Sequence, residues 1–214
     1  MARITVIGGT GYAGSNVVRE AAARGHQVTS YSRKAPEQPV AGVDYKTGSV
    51  LDEAVLVQAV ADTDVVVSAL SPRGDMEGQT SGVLAKVADL ARNSGVRLGV
   101  IGGAGSLLVA PDGPNLAETD GFPDAFKPEA AEMGAVLEDL RASSGGLEWF
   151  YVSPAGGFGA WAPGEATGTY RIGGDVLLTD ADGQSNISGA DLAKAIVTEI
   201  EEPTHTGSRF TVAY

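Results

Sequence analysis

Two hydrophobic patterns alternate along this chain. Short apolar or alternating runs predict strands at Arg3–Ile7, Gln27–Tyr31, Val43–Lys46, Asp64–Ser71, Leu98–Ile101 and Leu147–Ser153. Between them, apolar residues recur at helical spacing. This predicts helices over Ser15–Arg24, from an N-cap at Asp52 through Val60, over Gly78–Asn93, and from Pro128 to about Arg141. In the third of these, Val83, Leu84, Val87, Leu90 and Ala91 share one face, and core packing accounts for them. The run Asp64–Ser71 is nearly all apolar, as suits a parallel strand covered on both faces. Strands alternating with helices through residue 153 predict an α/β fold with a doubly wound parallel sheet. The remainder predicts a small C-terminal extension. It comprises a hairpin of Thr169–Ile172 and Asp175–Thr179 around Gly173-Gly174, a turn at Asp182-Gly183, a helix from the capping sequence Ser188-Gly189-Ala190-Asp191 to about Glu201, and a closing strand Arg209–Tyr214.

The first strand runs straight into Gly8-Gly9-Thr10-Gly11-Tyr12-Ala13-Gly14 and then into a helix, with Gly8, Gly11 and Gly14 at G-x-x-G-x-x-G spacing. Such a turn lets the backbone approach a pyrophosphate with no Cβ in the way. The helix N-terminus then presents open N–H groups to the anion. Glycine is also the default turn residue, but strand–turn–helix is the context a dinucleotide site requires. The fold class that follows is Rossmann-like, with helices on both faces of the sheet. Ligands in open α/β sheets bind at the carboxyl ends of the strands. This adds Ala69, Leu70 and Ser71 after the fourth strand, Gly102 and Gly103 after the fifth, and Pro154 and Ala155 after the sixth.

An NAD-selective site places an acid about twenty residues beyond the glycines to accept the ribose 2′-hydroxyl. No acid lies between Glu20 and Glu37; Ser32, Arg33 and Lys34 stand there instead. Two cations suit a 2′-phosphate and so predict NADPH over NADH, although a solvated basic turn would read the same. His26, at the junction before the second strand, reads as structural or solvent-facing.

Composition narrows the picture. With 214 residues the chain has room for one domain, 1–214, and it holds no internal repeat or linker. The absence of cysteine excludes disulfides and thiol chemistry, and no metal site is expected. A net charge of −12 disfavours nonspecific binding to nucleic acid or anionic membrane. No apolar run is long enough to span a bilayer and no signal peptide is evident, so the cytoplasm is the expected compartment. Leu107–Lys127 lacks periodicity and holds Pro111, Pro114 and Pro123; long loops of this kind are usually functional. It falls in the first of two predicted acceptor-site loops, 103–127 and 154–170.

Several stretches together resemble a known family over nearly the whole chain. They are I-G-G-T-G-Y-A-G at Ile7–Gly14, Y-S-R-K at Tyr31–Lys34, V-V-S-A-L-S at Val66–Ser71, G-G-A-G-S-L at Gly102–Leu107, F-K-P-E-A at Phe126–Ala130, Y-V-S-P-A at Tyr151–Ala155 and Y-R-I-G-G-D at Tyr170–Asp175. The chain resembles the atypical short-chain dehydrogenase/reductases of the NAD(P)H-binding group. The resemblance is greatest to bacterial proteins described as candidate NADH-flavin reductases; biliverdin IXβ/flavin reductase is a more distant relative. It implies an NADP(H)-dependent oxidoreductase and a serine near the nicotinamide at Ser106. One departure matters. None of the six tyrosines is followed four residues later by lysine, so the Tyr-x-x-x-Lys acid of most short-chain dehydrogenases is missing. That leaves hydride transfer to a planar acceptor needing little proton help, such as a flavin or a quinone. Two readings stay open beside it: a non-catalytic NADP(H)-sensing protein and a nucleotide-sugar epimerase or dehydratase.

The remaining candidates each have a plain alternative. Ser106 could orient an acceptor or merely cap its loop, and Lys127 could bind a negative charge or simply face solvent. Phe158 and Trp161 could stack on a planar ring or pin their loop. The oligomeric state is left open.

Overall fold

The computed structural model describes residues 1–143 and 145–214. Eight strands form one sheet in the order β3-β2-β1-β4-β5-β6-β8-β7. They are β1 (Arg3–Ile7), β2 (Gln27–Ser32), β3 (Asp44–Thr47), β4 (Val65–Ser68), β5 (Arg97–Ile101), β6 (Trp149–Pro154), β7 (Arg171–Gly173) and β8 (Ser208–Ala213). The helices are α1 (Tyr12–Ala23), α2 (Glu53–Val60), α3 (Thr80–Ser94), α4 (Lys127–Ala142) and α5 (Gly189–Glu201). Every strand pair is parallel except β7 with β8.

Successive side chains of a strand point to opposite faces, and two buried cores result. Ile7, Val66, Val100 and Tyr151 pack with Leu56 of α2, Leu84 and Val87 of α3, and Met133 and Leu137 of α4. Val6, Val67, Phe150 and Phe210 pack with Val17 and Val18 of α1 and Leu192 and Ile196 of α5. Burial on both faces is why β4 reads as an unbroken apolar run. Each such fully buried aliphatic side chain contributes about 1.5–3 kcal/mol. The sheet runs from β1 outward to β2 and β3, then resumes on the other side of β1 with β4. Ile7 faces Tyr31 on one side and Ser68 on the other. This reversal opens a crevice at the carboxyl ends of β1 and β4, where ligands of such sheets bind.

The expected hairpin in the C-terminal extension does not form. Arg171–Gly173 is a strand, but it pairs antiparallel with β8, Arg171 against Ala213 and Gly173 against Thr211. The segment expected to be its partner, Asp175–Thr179, instead crosses to residue 108. Leu108 N–H donates to Asp175 O at 2.9 Å and Leu177 N–H to Leu108 O at 2.8 Å. A free sheet edge and the Arg209 and Arg141 guanidiniums, both of which hold Asp175, outcompete the local turn. Leu107–Lys127 is also more ordered than its lack of periodicity suggests. It contains two short 3-10 turns, Leu116–Glu118 and Asp124–Phe126, the first closed by an Asn115/Glu118 capping box. Leu107 itself is fully buried. The fourth strand stops at Ser68, so Ala69–Ser71 leave the sheet just past its carboxyl end.

Candidate functional site

Four glycines shape the turn after β1, and three are required by the protein's own packing. Gly8 has φ +82°, and a Cβ there would fall 2.9 Å from Ala69 O. One at Gly9 would fall 2.3 Å from Ser30 Oγ, and one at Gly14 would fall 2.3 Å from Gly8 O. Gly11 differs: its Cβ would meet a single atom, Gly8 O at 3.3 Å, and otherwise open space. Gly11 is also the N-cap of α1 and offers no side-chain acceptor, so the N–H groups of the first turn stay open. A bare backbone surface beside open amides at a helix N-terminus fits a pyrophosphate. Thr10 is exposed and its N–H donates to Ser32 Oγ at 3.1 Å. Ser32 in turn donates to Tyr31 O at 2.8 Å, so its hydroxyl buckles the glycine turn to the end of β2.

Arg33 and Lys34 follow β2 and are exposed. Arg33 is not free. It pairs with Asp75, which lies on a 3-10 turn, Gly74–Met76, between β4 and α3. Nothing local in the sequence announces this acid, which is 42 residues away. The same β4–α3 segment carries Ala69, Leu70 and Ser71 at the crevice. Its Arg73 pairs with Glu129 of α4 at 2.6 Å and lies over the Phe126 ring.

At the neighbouring strand ends, Gly102 is filled from within, since a Cβ there would fall 2.0 Å from the Tyr151 ring and hydroxyl. A Cβ at Gly103 would meet nothing within 4 Å, so its outer side is open. Pro154 ends β6 and Ala155 is buried behind it. Tyr151 is sealed in the core, its hydroxyl donating to Met133 O at 3.0 Å. Burial pushes that phenol far above its ordinary range, so it holds its proton. Ser106 accepts from Arg209 Nη1 through Oγ and through its carbonyl, both at 2.9 Å. Burial pushes the Asp175 carboxyl up, but the Arg209 and Arg141 guanidiniums outweigh this and hold it below the usual carboxylate range. Lys127 is half exposed, and its Nζ lies 2.7 Å from Asp124. No hydrogen bond joins it to Ser106 among the described residues.

The loop 154–170 is fastened beside the glycine turn. Tyr12 OH donates to Pro163 O at 3.0 Å and accepts from Gly189 N–H at 3.1 Å, and the Phe158 ring lies 5.4 Å from the Tyr12 ring. Asp191 is buried and accepts from Thr167 N–H at 2.7 Å, Gly168 N–H at 3.1 Å and Tyr214 OH at 2.7 Å. Burial opposes its charge, but these bonds prevail and hold its carboxyl below the usual range. Trp161, folded against Gly159, stays 62% exposed. Sequence reasoning missed the parts played by Asp75, Asp191 and Arg209. Only the capping pattern at Ser188 hinted at one of them, and Ser188 Oγ does accept from Asp191 N–H at 3.1 Å. Among the described residues no cluster of His, Cys, Asp or Glu could hold a metal ion, and no helix is long and apolar enough to cross a membrane.

Comparison with known proteins agrees with this geometry. A family model described as NAD(P)H-binding matches residues 8–203, from the glycine turn past the end of α5. The protein YwnB of Bacillus subtilis, described as uncharacterized, is 35% identical over 98% of this chain and 97% of its own. Two solved structures are similar throughout. A candidate NADH-flavin reductase from Streptococcus pneumoniae has a TM-score of 0.88 at 31% identity, covering 100% of this chain and 99% of its own. A candidate epimerase from Bacteroides thetaiotaomicron has a TM-score of 0.89 at 30% identity, covering 100% and 97%. The matched span begins at the turn that follows β1, whose outer face Gly11 leaves bare, and runs through β2 to β7, so the chain belongs to the NAD(P)H-binding family.

Proposed function

We propose that this protein is an NADPH-dependent reductase that passes a hydride to a flavin-like or quinone-like acceptor. The observation that carries the cofactor site is Gly11, the one glycine of the turn that the fold leaves open on its outer side. Gly8, Thr10, Gly11, Tyr12, Ala13 and Gly14 would cradle the pyrophosphate, and the open amides of α1 would donate to it. Arg33 and Lys34 would meet the 2′-phosphate, with Ser32 shaping the turn beneath it. Ala69–Ser71, Gly102, Gly103, Pro154 and Ala155 would line the crevice toward the nicotinamide. The bound dinucleotide supplies the hydride, and the acceptor takes it together with a solvent proton.

The chain's residues support positioning rather than acid catalysis. The tyrosine beside Gly102, Tyr151, holds its proton inside the core. Ser106 has one side of its oxygen committed to Arg209 and keeps a hydroxyl proton with which to orient an acceptor. Lys127, exposed and paired with Asp124, would attract a negatively charged acceptor. The Streptococcus pneumoniae relative carries a flavin-reductase description, which agrees with this reading. The missing tyrosine acid speaks against the epimerase chemistry named for the Bacteroides relative. It equally suits a second reading, a sensor of NADP(H) without turnover.

Steady-state NADPH oxidation with free FMN, FAD and simple quinones separates the two. Turnover with at least one planar acceptor is expected. No turnover with any of them, alongside micromolar NADPH binding, would establish the sensor instead.

A further inference from the structure

The turn between β4 and α3 holds a charge that the proposed function has not used. Asp75 lies in the 3-10 turn Gly74–Met76 and pairs with Arg33, the first cation after β2. Both side chains are at least half exposed, at 50% and 64%. The backbone that carries Asp75 is nevertheless well fixed. Met76, next in the chain, is buried, and its carbonyl accepts from Thr80 Oγ1 at 2.9 Å. Glu132 of α4 accepts from Gly78 N–H at 2.9 Å and from Ser81 N–H at 3.0 Å. On the other flank Arg73 pairs with Glu129. The turn is thus tied to α4 on both sides and holds a carboxylate against Arg33.

We infer that Asp75 competes with the 2′-phosphate of the cofactor for Arg33, so that this turn sets how strongly the chain prefers NADPH over NADH. The inference rests on the proposed NADP(H) site. A phosphate that engages the Arg33 guanidinium must displace the carboxylate or share the guanidinium with it, and Asp75 then stands unpaired beside a second anion. NADH carries no such phosphate and leaves the pair intact. Lys34 has no ion-pair partner among the described residues, so it is available to the phosphate in either case. Because an exposed ion pair is weak, Asp75 trims the preference and does not abolish it; the competition is worth about two- to fivefold in affinity.

The test is calorimetric titration of the purified protein with NADPH and with NADH at low salt. It compares wild type, Asp75→Asn, Asp75→Ala, Arg33→Ala and the double variant Arg33→Ala/Asp75→Asn. Both Asp75 variants should bind NADPH about two- to fivefold more tightly than wild type, with NADH affinity unchanged. In the Arg33→Ala background the gain from the Asp75 change should shrink to the relief of repulsion between the carboxylate and the phosphate, and a gain as large as in the wild-type background overturns the competition. Unchanged NADPH affinity in both Asp75 variants, while Arg33→Ala still weakens NADPH, overturns the competition and leaves the NADP(H) site standing. Weaker NADH binding in the Asp75 variants also overturns it and makes Asp75 an acceptor for the ribose hydroxyl. Equal affinities of wild type for the two cofactors, with no effect of Arg33→Ala, removes the NADP(H) site itself and the inference with it.

Discussion

Gly11 and Gly14 look alike in sequence yet answer to different neighbours. At Gly14 a Cβ would collide with the backbone of Gly8, whereas at Gly11 it would meet one oxygen at 3.3 Å and then open space. Gly11→Val should therefore fold and lose dinucleotide binding. Gly14→Val should lose stability itself, by about 1–3 kcal/mol or more, because strand and helix must move apart. Thermal melts alongside NADPH titration separate the two. A folded Gly11→Val protein with wild-type NADPH affinity would put the phosphate site elsewhere. Ser106→Ala and Lys127→Ala should each lower turnover by less than the roughly 10²–10⁴-fold expected of a general acid. A loss beyond about a thousandfold in steady-state rate, with NADPH affinity kept, would reveal an acid that positioning does not account for. At this scale the glycine spacing was legible because its cause is local: one strand, one turn, one helix. Asp75 was not, since only the sheet's reversal brings residue 75 beside residue 33. The absence of an acid between Glu20 and Glu37 is true along the chain and misleading in space.

Among the elements, those with a strong period of their own formed where the pattern placed them, with ends shifted by a few residues. The exception is instructive. Gly173-Gly174 is sound hairpin chemistry, yet β7 joins β8 and Asp175–Thr179 joins Leu108, because the open edge of β8 and two arginines offer more than a local turn. The loop 154–170 likewise owes its place to distant anchors, chiefly Asp191 and Tyr12. Removing the Asp191 carboxylate leaves the Thr167 and Gly168 amides without their acceptor and the Tyr214 hydroxyl with Glu165 O alone. Hydrogen bonds to a charged group are worth about 1.5–3 kcal/mol each, so Asp191→Ala should destabilise the fold by at least about 2 kcal/mol. Hydrogen exchange should then accelerate first at Thr167 and Gly168. Uniform exchange across the chain, with no early opening of this loop, would show that the loop is held by other means.

Across the whole molecule, the crevice and the main buried ion pair lie at opposite ends of the sheet. Arg97, the first residue of β5, pairs with Glu199 of α5, and Glu199 also accepts from Thr204, while the His205 ring lies 2.7 Å from it. Burial opposes the Glu199 charge, but the bonds from His205 and Arg97 outweigh it and pull its carboxyl down to about 2. A carboxylate depressed on folding stabilises fully above its unfolded value and loses that contribution as pH falls through the folded one. Stability on the order of 3 kcal/mol should therefore fade between about pH 5 and pH 2, and Glu199→Gln should flatten that slope. Urea melts across this range check it; an unchanged slope in the variant would assign acid unfolding to other carboxylates. The site at the other end faces a different constraint, because a chain at −12 must bind an anionic cofactor. In the proposed site Arg33 and Lys34 would add to the attraction of the open α1 amides, and their contribution, being exposed, would be sensitive to salt. The most direct measurement is the ratio of NADPH to NADH affinity in wild-type protein at low and at high ionic strength. NADPH should bind at least ~10-fold more tightly in low salt, about 1.4 kcal/mol, with the gap narrowing as salt is added. Equal affinities in low salt would contradict the NADP(H) site and leave the basic pair as a solvated turn.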